Sequence, residues 1–492
     1  MTIEGVFTFV NQFFQTFGSP IIISIILFFI CLAFKVRVKH AFLSAMYAAI
    51  GLMGFTWLIN EYIPVVIPVV MNMINNTGLN LPGIDVGWAV TALVAYSTEA
   101  GMIYLILGTV FQLILFLVKF TNVFQPSGVW DNYSYAIYGS VVYWVTKDLL
   151  LAVAFMLVLN LYVTICYEML AKRWSTYYGY KNCTIVQLHH GMNVPLAIAG
   201  NWILNKLGAY KINWKPAHIR ERFGFFGEPI VLGAILGFLI GLAGNIKNLA
   251  TIAGWGSIFT IAVGTAATMA IFPRVAALFA QAFTYLAQAS RTFAKNANRE
   301  EVYIGVDDAC GYGETATLLS GTIFIPIFII MCLVIPGNLF LPLSTLVGFP
   351  FTFNVFTSLS NGNIFKSIVN LTFWYAIGIA IASPLFGVWT QIYNSTPGIT
   401  PIAAGGLAGN GFFMAVPQTL ALYSVLKWGW VMVGILFVVF WPIFYVYKKN
   451  KVKITAWIEK EALIGEEPTP TPDEPGETVK SPEPVKPVGA VV

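Results

Sequence analysis

The sequence predicts an all-α polytopic membrane protein, and three observations carry that prediction. Hydrophobic residues fill 58% of the 492 positions and charged residues 10%, with a mean hydropathy of +0.75, a balance foreign to soluble domains. Apolar runs recur along the whole chain at lengths near the roughly 20 residues that a bilayer crossing needs. Between Glu314 and Glu459 there is no Asp or Glu, and only Lys366 and Lys427 carry charge before Lys448. Such a stretch has to face lipid or pack between helices. Roughly nine to eleven transmembrane helices are expected, with re-entrant half-helices among them.

In chain order the clear spanning segments are Ser19–Phe34, Ala41–Asn60, Gly101–Phe120, Leu149–Glu168, Val231–Ile246, Ile258–Ala270, Thr315–Ile335, Ile368–Phe386 and Trp428–Tyr447. The first opens on Gly18-Ser19-Pro20, an N-cap followed by proline at the first helical position. Broken apolar segments lie around Ile63–Met73, Val86–Tyr96, Ile185–Leu204, Leu339–Leu359 and Ile402–Leu426, most of them mixed with Gly, Pro, Asn or Ser. Lipid cannot satisfy interrupted backbone, so these segments are expected inside the protein or along an aqueous cavity. Short apolar pieces interrupted by Gly and Pro point to a transport site.

A net charge of +5 admits an anionic partner such as nucleic acid. The distribution argues against one. The basic residues cluster at the ends of apolar runs: Lys35 to Lys39, Lys172-Arg173, Lys206 to Arg222, Arg291 to Arg299 and Lys448 to Lys460. That is the pattern of topology signals, and it predicts an external N-terminus and a cytoplasmic C-terminus. The chain divides into a membrane-embedded domain over 1–460 and a tail over 461–492, Pro/Glu/Thr-rich and expected to be disordered. The N-terminal residues include Glu4 and no basic region, so no cleavable signal peptide is read there. The five cysteines form no CxxC pair, and no disulfide framework or metal-ligand spacing is expected. No Walker A loop or dinucleotide fingerprint occurs, which leaves transport driven by something other than direct ATP use and no cofactor.

Four polar clusters sit against apolar sequence. Glu228, in Phe223-Gly-Phe-Phe-Gly-Glu-Pro229, precedes the apolar run from Ile230; a charge at bilayer depth costs roughly 2.5–3.5 kcal/mol and needs water, a partner or a function. Proline after it places Glu228 at the mouth of a new helix. His189-His190-Gly191 offers imidazoles that donate, accept and carry protons, or merely an interfacial pair solvating a loop. Asp307, Asp308 and Glu314 precede the run to Ile335, as helix caps or as ligands for a polar solute. Asp85 and Trp88, in Gly83-Ile-Asp-Val-Gly-Trp88, pair a carboxylate with an aromatic face suited to the C–H side of a sugar, and Trp130-Asp131-Asn132-Tyr133 reads the same way; membrane-interface anchoring is the plainer account of both. Cys310 between glycines could be a nucleophile, although its neighbouring acids oppose thiolate formation. No internal repeat is evident; the echo of Gly227-Glu228 in Gly313-Glu314 is too short to establish one.

Together, Asp85-Val-Gly-Trp88, His190-Gly191, Arg222 to Pro229, Ile304-Gly-Val-Asp307 with Gly313, and Ile323-Phe-Ile-Pro326 continuing to Ile335-Pro-Gly-Asn338 with Leu341-Pro342 resemble the membrane IIC component of the galactitol-type phosphoenolpyruvate-dependent phosphotransferase system, up to about Tyr447. The resemblance implies a permease of the bacterial inner membrane, itself no enzyme. A polyol or sugar is carried inward and phosphorylated by the phosphocysteine of a separate IIB protein, which IIA recharges. Related ascorbate-type permeases imply a homodimer in which a mobile core moves against a scaffold, an elevator motion. Carried over by position, Glu228 and His190 match the polar substrate site, with Asp85, Asp307 and Glu314 as further substrate contacts. This chain departs from the family pattern at His189 and Asp308, where prolines are usual, at Ala89-Val90, where Pro-Gly is usual, and at Glu314, where a histidine can occur. The residues taken alone also admit an ion-coupled secondary transporter using Glu228 and the acids over Asp307–Glu314, or a membrane enzyme with a covalent carrier at Cys310 or His190.

Overall fold

The computed structural model describes residues 3–77, 81–126, 131–296, 301–341 and 343–466. Most of the expected tail, from 467 on, and Trp130 lie outside the described residues. The chain begins with two long helices, α1 (Ile3–Ala33) and α2 (Val38–Thr77). Then come β1 (Gly83–Asp85), α3 (Gly87–Tyr96), α4 (Glu99–Leu117), β2 (Val123–Phe124), α5 (Tyr133–Thr146), α6 (Leu149–Tyr178), β3 (Cys183–Ile185), α7 (Leu188–Gly191) and α8 (Val194–Lys206). A second series follows: α9 (Pro216–Phe223), α10 (Pro229–Gly244), α11 (Ile252–Gln281), α12 (Thr284–Asn296), β4 (Tyr303–Val306), α13 (Ala309–Tyr312), α14 (Thr315–Val334), β5 (Phe340–Leu341), α15 (Leu343–Leu359), α16 (Ile364–Ala382), α17 (Phe386–Asn394), β6 (Leu407–Gly409), α18 (Val416–Trp428) and α19 (Trp430–Ala462).

Among the described residues, seven helical stretches are long and apolar enough to cross a membrane, and an eighth if α9 and α10, bent by 67° at Glu228, count as one span. Two further apolar helices, Pro20–Ala33 and Gly87–Tyr96, are shorter. As the sequence implied, Glu228 occupies the N-cap position of α10 with Pro229 in its first turn. α19 runs to Ala462, Asn205 donates to Glu461, and Lys215 pairs with Glu466.

Two groups of helices make up the body. α1, α2, α10 and α11 pack on one another, through small residues where the backbones come close. A Cβ on Gly237 of α10 would stand 2.6 Å from the Ile261 carbonyl of α11, and one on Gly51 of α2 2.5 Å from Phe279 Cβ of α11. The remaining helices surround two three-stranded parallel sheets, ordered β5-β1-β6 and β2-β4-β3.

The sheets expose an internal duplication. β1–α3–α4–β2–α5–α6–β3–α7–α8 repeats as β4–α13–α14–β5–α15–α16–β6–α18, with α17 inserted before β6 and a 3-10 turn over Gly411–Met414 in the place of α7. Each sheet takes its central strand from one repeat and its outer strands from the other. The registers agree: Gly83 faces Phe340 and Leu407 as Ile304 faces Phe124 and Cys183. With that alignment known, short echoes emerge: Asn122-Val-Phe-Gln-Pro126 with Asn338-Leu-Phe-Leu-Pro342, and Val194-Pro195 with Val416-Pro417.

Candidate functional site

All strands within each sheet run parallel, so the residues leaving their carboxyl ends gather at one edge. From the first sheet come Trp88 after β1 and Phe412 after β6. From the second come His189 and His190 after β3, and Asp307 and Asp308 after β4. The edges meet. Tyr133, at the start of α5, lies 6.5 Å from Trp88, 5.6 Å from Phe412 and 6.3 Å from His189 between ring centroids. His189 meets Phe412 edge-on at 4.8 Å.

Local packing fixes these groups. α7 lies so close to α6 that a Cβ on Gly191 would stand 2.3 Å from the Tyr167 ring, which sets the height of His189 and His190. Gln187 donates to Asp131 at 3.0 Å. On the other strand the Asp307 carboxylate accepts the Ala309 N–H at 3.0 Å, and Asn354 of α15 donates to the Asp308 carbonyl at 2.9 Å. A Cβ on Gly311 would sit 1.5 Å from Asn354 Oδ1, so only glycine lets α13 approach α15 this closely.

At the centre, His190 Nε2 lies 2.7 Å from Asp308 Oδ2, and His189 Nε2 lies 3.9 Å from the same oxygen. Burial pushes His190 down to about 3 and Asp308 up to about 6, so at neutral pH a neutral imidazole donates Nε2–H to a carboxylate. Burial and the neighbouring His190 hold His189 well below its ordinary value. Burial and the acids Asp308, Asp131 and Asp307 push the Tyr133 hydroxyl far up. The site therefore combines carboxylate acceptors, neutral imidazoles and three aromatic faces.

His189, His190 and Asp308 place donor atoms within 4.8 Å of one another, the spacing of a metal site. Ligating imidazoles normally donate their second ring N–H to a neighbour. Here both Nδ1 atoms are buried without a partner among the described residues, and an N–H left so costs about 1–3 kcal/mol. The arrangement fits an imidazole–carboxylate hydrogen bond better than a cation.

Of the residues singled out in the sequence, the fold brings His190 and Asp307 into this cluster. Asp85 lies at the end of β1 and accepts from the Gly87 N–H and from the Thr345 N–H and hydroxyl, tying the strand to α15. Glu314 caps α14, accepting from the N–H groups of Ala316 and Thr317, both at 2.9 Å, where the first repeat uses Thr98 to cap α4. Glu228 stands apart: its half-exposed carboxylate lies 3.8 Å from a still more open Arg220, a pairing that water largely screens. Cys310 is buried, and burial and Asp307 push its thiol well up, which disfavours a nucleophile. Sequence reasoning passed over Phe412, and left Asp308 open between a helix cap and a ligand. A cavity of about 350 Å³ lined by Lys181, Cys183, Gln288 and Cys310 adjoins α13 without including His190 or Asp308.

Comparison with known proteins gives a consistent set of relatives. The family model described as the phosphotransferase (PTS) system sugar-specific permease component matches residues 12–416. The galactitol-specific EIIC component of Escherichia coli K12 is 23% identical over 419 residues, 84% of this chain and 88% of its own. A putative permease IIC component of the same strain is 28% identical over 426 residues, 84% of this chain and 90% of its own.

Proposed function

Because the chain belongs to the sugar-specific permease components of the phosphotransferase system, we propose that it binds a galactitol-like polyol and moves it inward as a IIB protein phosphorylates it. The observation that carries this reading is the meeting of the two sheet edges: His189, packed beside His190, lies against the rings of Tyr133 and Phe412, Trp88 lies next to Tyr133, and Asp307 is among the acids acting on Tyr133. A polyol hydroxyl both donates and accepts, and its C–H face suits an aromatic wall. Asp307 accepts hydroxyls, and His190 accepts the proton of the hydroxyl that attacks phosphocysteine. Asp85 and Glu314 hold the flanking helices in place as well as bordering the cargo path. Glu228, on the exposed bend, belongs to the passage and not to the pocket.

The packing of α1, α2, α10 and α11 into one group beside the sheet-bearing group supports a scaffold and a mobile core, an elevator motion within a homodimer. The basic clusters support an outside N-terminus and a cytoplasmic C-terminus in the bacterial inner membrane. Everted vesicles carrying the chain, supplied with phosphoenolpyruvate, the general components, IIA and IIB, are expected to convert galactitol to its phosphate, with no conversion when IIB is left out. Uptake of unphosphorylated polyol that an ionophore abolishes would replace this reading with ion-coupled transport.

A further inference from the structure

We infer that Asp308 is a positioning residue that fixes the tautomer of His190: its carboxylate takes the Nε2–H, leaving Nδ1 as the bare lone pair that receives the substrate proton. The inference rests on the reading of the pocket as the place of phosphorylation.

The geometry supports it at each atom. The 2.7 Å contact makes Asp308 the Nε2 partner of His190, whose side chain is 3% exposed. The 3.9 Å to His189 Nε2 is too long for a second bond of that kind. Nδ1 of His190 is buried with no partner among the described residues. Asp308 cannot drift, because its own carbonyl is held by Asn354 and α13 is pressed onto α15 at Gly311. A carboxylate that orients an imidazole and supports the imidazolium formed by proton uptake is a recurrent arrangement in acid–base catalysis. In the step, the hydroxyl oxygen forms a bond to phosphorus as the S–P bond of the IIB phosphocysteine breaks. The thiolate leaves with the electron pair, and the hydroxyl proton passes to His190 Nδ1.

Protonated Asp308 would donate to Nε2 and drive the imidazole proton onto Nδ1, removing the acceptor. With Asp308 raised to about 6, phosphoryl transfer is expected to fall as pH drops through that value. The other titratable groups around the pair are His189, Asp307, which hydrogen-bonds Asp308, Cys310, Asp131, Tyr133 and Tyr96, none of which makes the Nε2 contact.

The test uses the full chain with phospho-IIB and galactitol as probe. Asp308→Asn is expected to slow single-turnover phosphoryl transfer on the order of 10²–10⁴-fold, change galactitol affinity less than about threefold, and flatten the acid limb of the pH profile; Asp308→Glu is expected to recover part of the rate. Transfer by Asp308→Asn at the wild-type rate, or a loss of affinity equal to the loss of rate, overturns the inference. Nitrogen-15 histidine spectra of the unsubstituted chain test the tautomer without any variant: Nε2–H with a bare Nδ1 is expected at His190, and Nδ1–H at neutral pH overturns it. If the unsubstituted chain phosphorylates nothing, the proposed function fails; if it phosphorylates and Asp308→Asn does so equally, this inference alone fails.

Discussion

An acid just before an apolar helix has two possible uses, and the five acids and imidazoles picked out here divide between them. Asp85 and Glu314 spend their oxygens on backbone N–H groups, whereas His190 keeps a buried nitrogen without a protein partner among the described residues. Sequence reads a cap and a ligand alike, because both place a short acid next to glycine or proline at a helix mouth. That is why Glu228 drew attention for its membrane position while Asp308 stayed open between cap and ligand. The two assignments separate in one experiment. Asp307→Asn is expected to weaken galactitol binding by about 10- to 100-fold, the loss of charge-assisted hydrogen bonds to hydroxyls. Glu228→Gln is expected to slow transport while leaving equilibrium binding within about threefold, since its carboxylate faces Arg220 and solvent. Titration calorimetry on both purified variants checks this, and a larger affinity loss in Glu228→Gln would relocate the pocket.

Whole helices were the easiest elements to read. Leu149–Glu168, Thr315–Ile335 and Trp428–Tyr447 are expected as spans; α6 contains the first whole, and α14 and α19 meet the other two to within one or two residues at one end. The broken segments were recognised as broken, but not as strands. A strand of two to four residues shows no alternation, and its partners are remote: Val123 pairs with Tyr303, and Gly83 with Leu407. Yet four of the five broken segments, at Val86–Tyr96, Ile185–Leu204, Leu339–Leu359 and Ile402–Leu426, carry the strands or short helices of the site. Interrupted hydrophobicity located the pocket without revealing its shape. α13 is the most exacting of these pieces. Gly311→Ala would push a methyl group into Asn354 Oδ1, and overpacking of this kind costs about 1–3 kcal/mol. The variant is expected to melt several degrees lower and to bind galactitol at least about tenfold more weakly, because displacing α13 moves Asp307 and Asp308 with it. Unchanged melting and binding would mean that α13 is free to shift, contrary to its tight seat.

On the scale of the molecule, the duplication hid from the sequence because its echoes are pairs and triplets of residues, legible only once strand register aligns them. Register also makes the repeats interdependent. Without the second repeat, the sheet β2-β4-β3 loses its central strand; without the first, β5-β1-β6 loses its own. The chemistry is divided in the same way, since His190 comes from the first repeat and Asp308 from the second. Neither part can satisfy its strand edges or its pocket alone, and unpaired backbone at membrane depth is too costly to persist. The exposed connection between Lys211 and Lys215, whose Ile212 and Trp214 carbonyls accept from Asn363 and Ile364, offers a place to divide the chain. Expressed separately, residues 1–212 and 213–492 are each expected to be degraded or to aggregate. Expressed together, they are expected to co-purify and to restore part of the phosphorylation of galactitol, because the strands can still interleave as the two pieces insert. Detergent-stable, monodisperse material from either piece alone, observed by size-exclusion chromatography, would show that the sheets do not hold the repeats together and that the site is not a joint product of both.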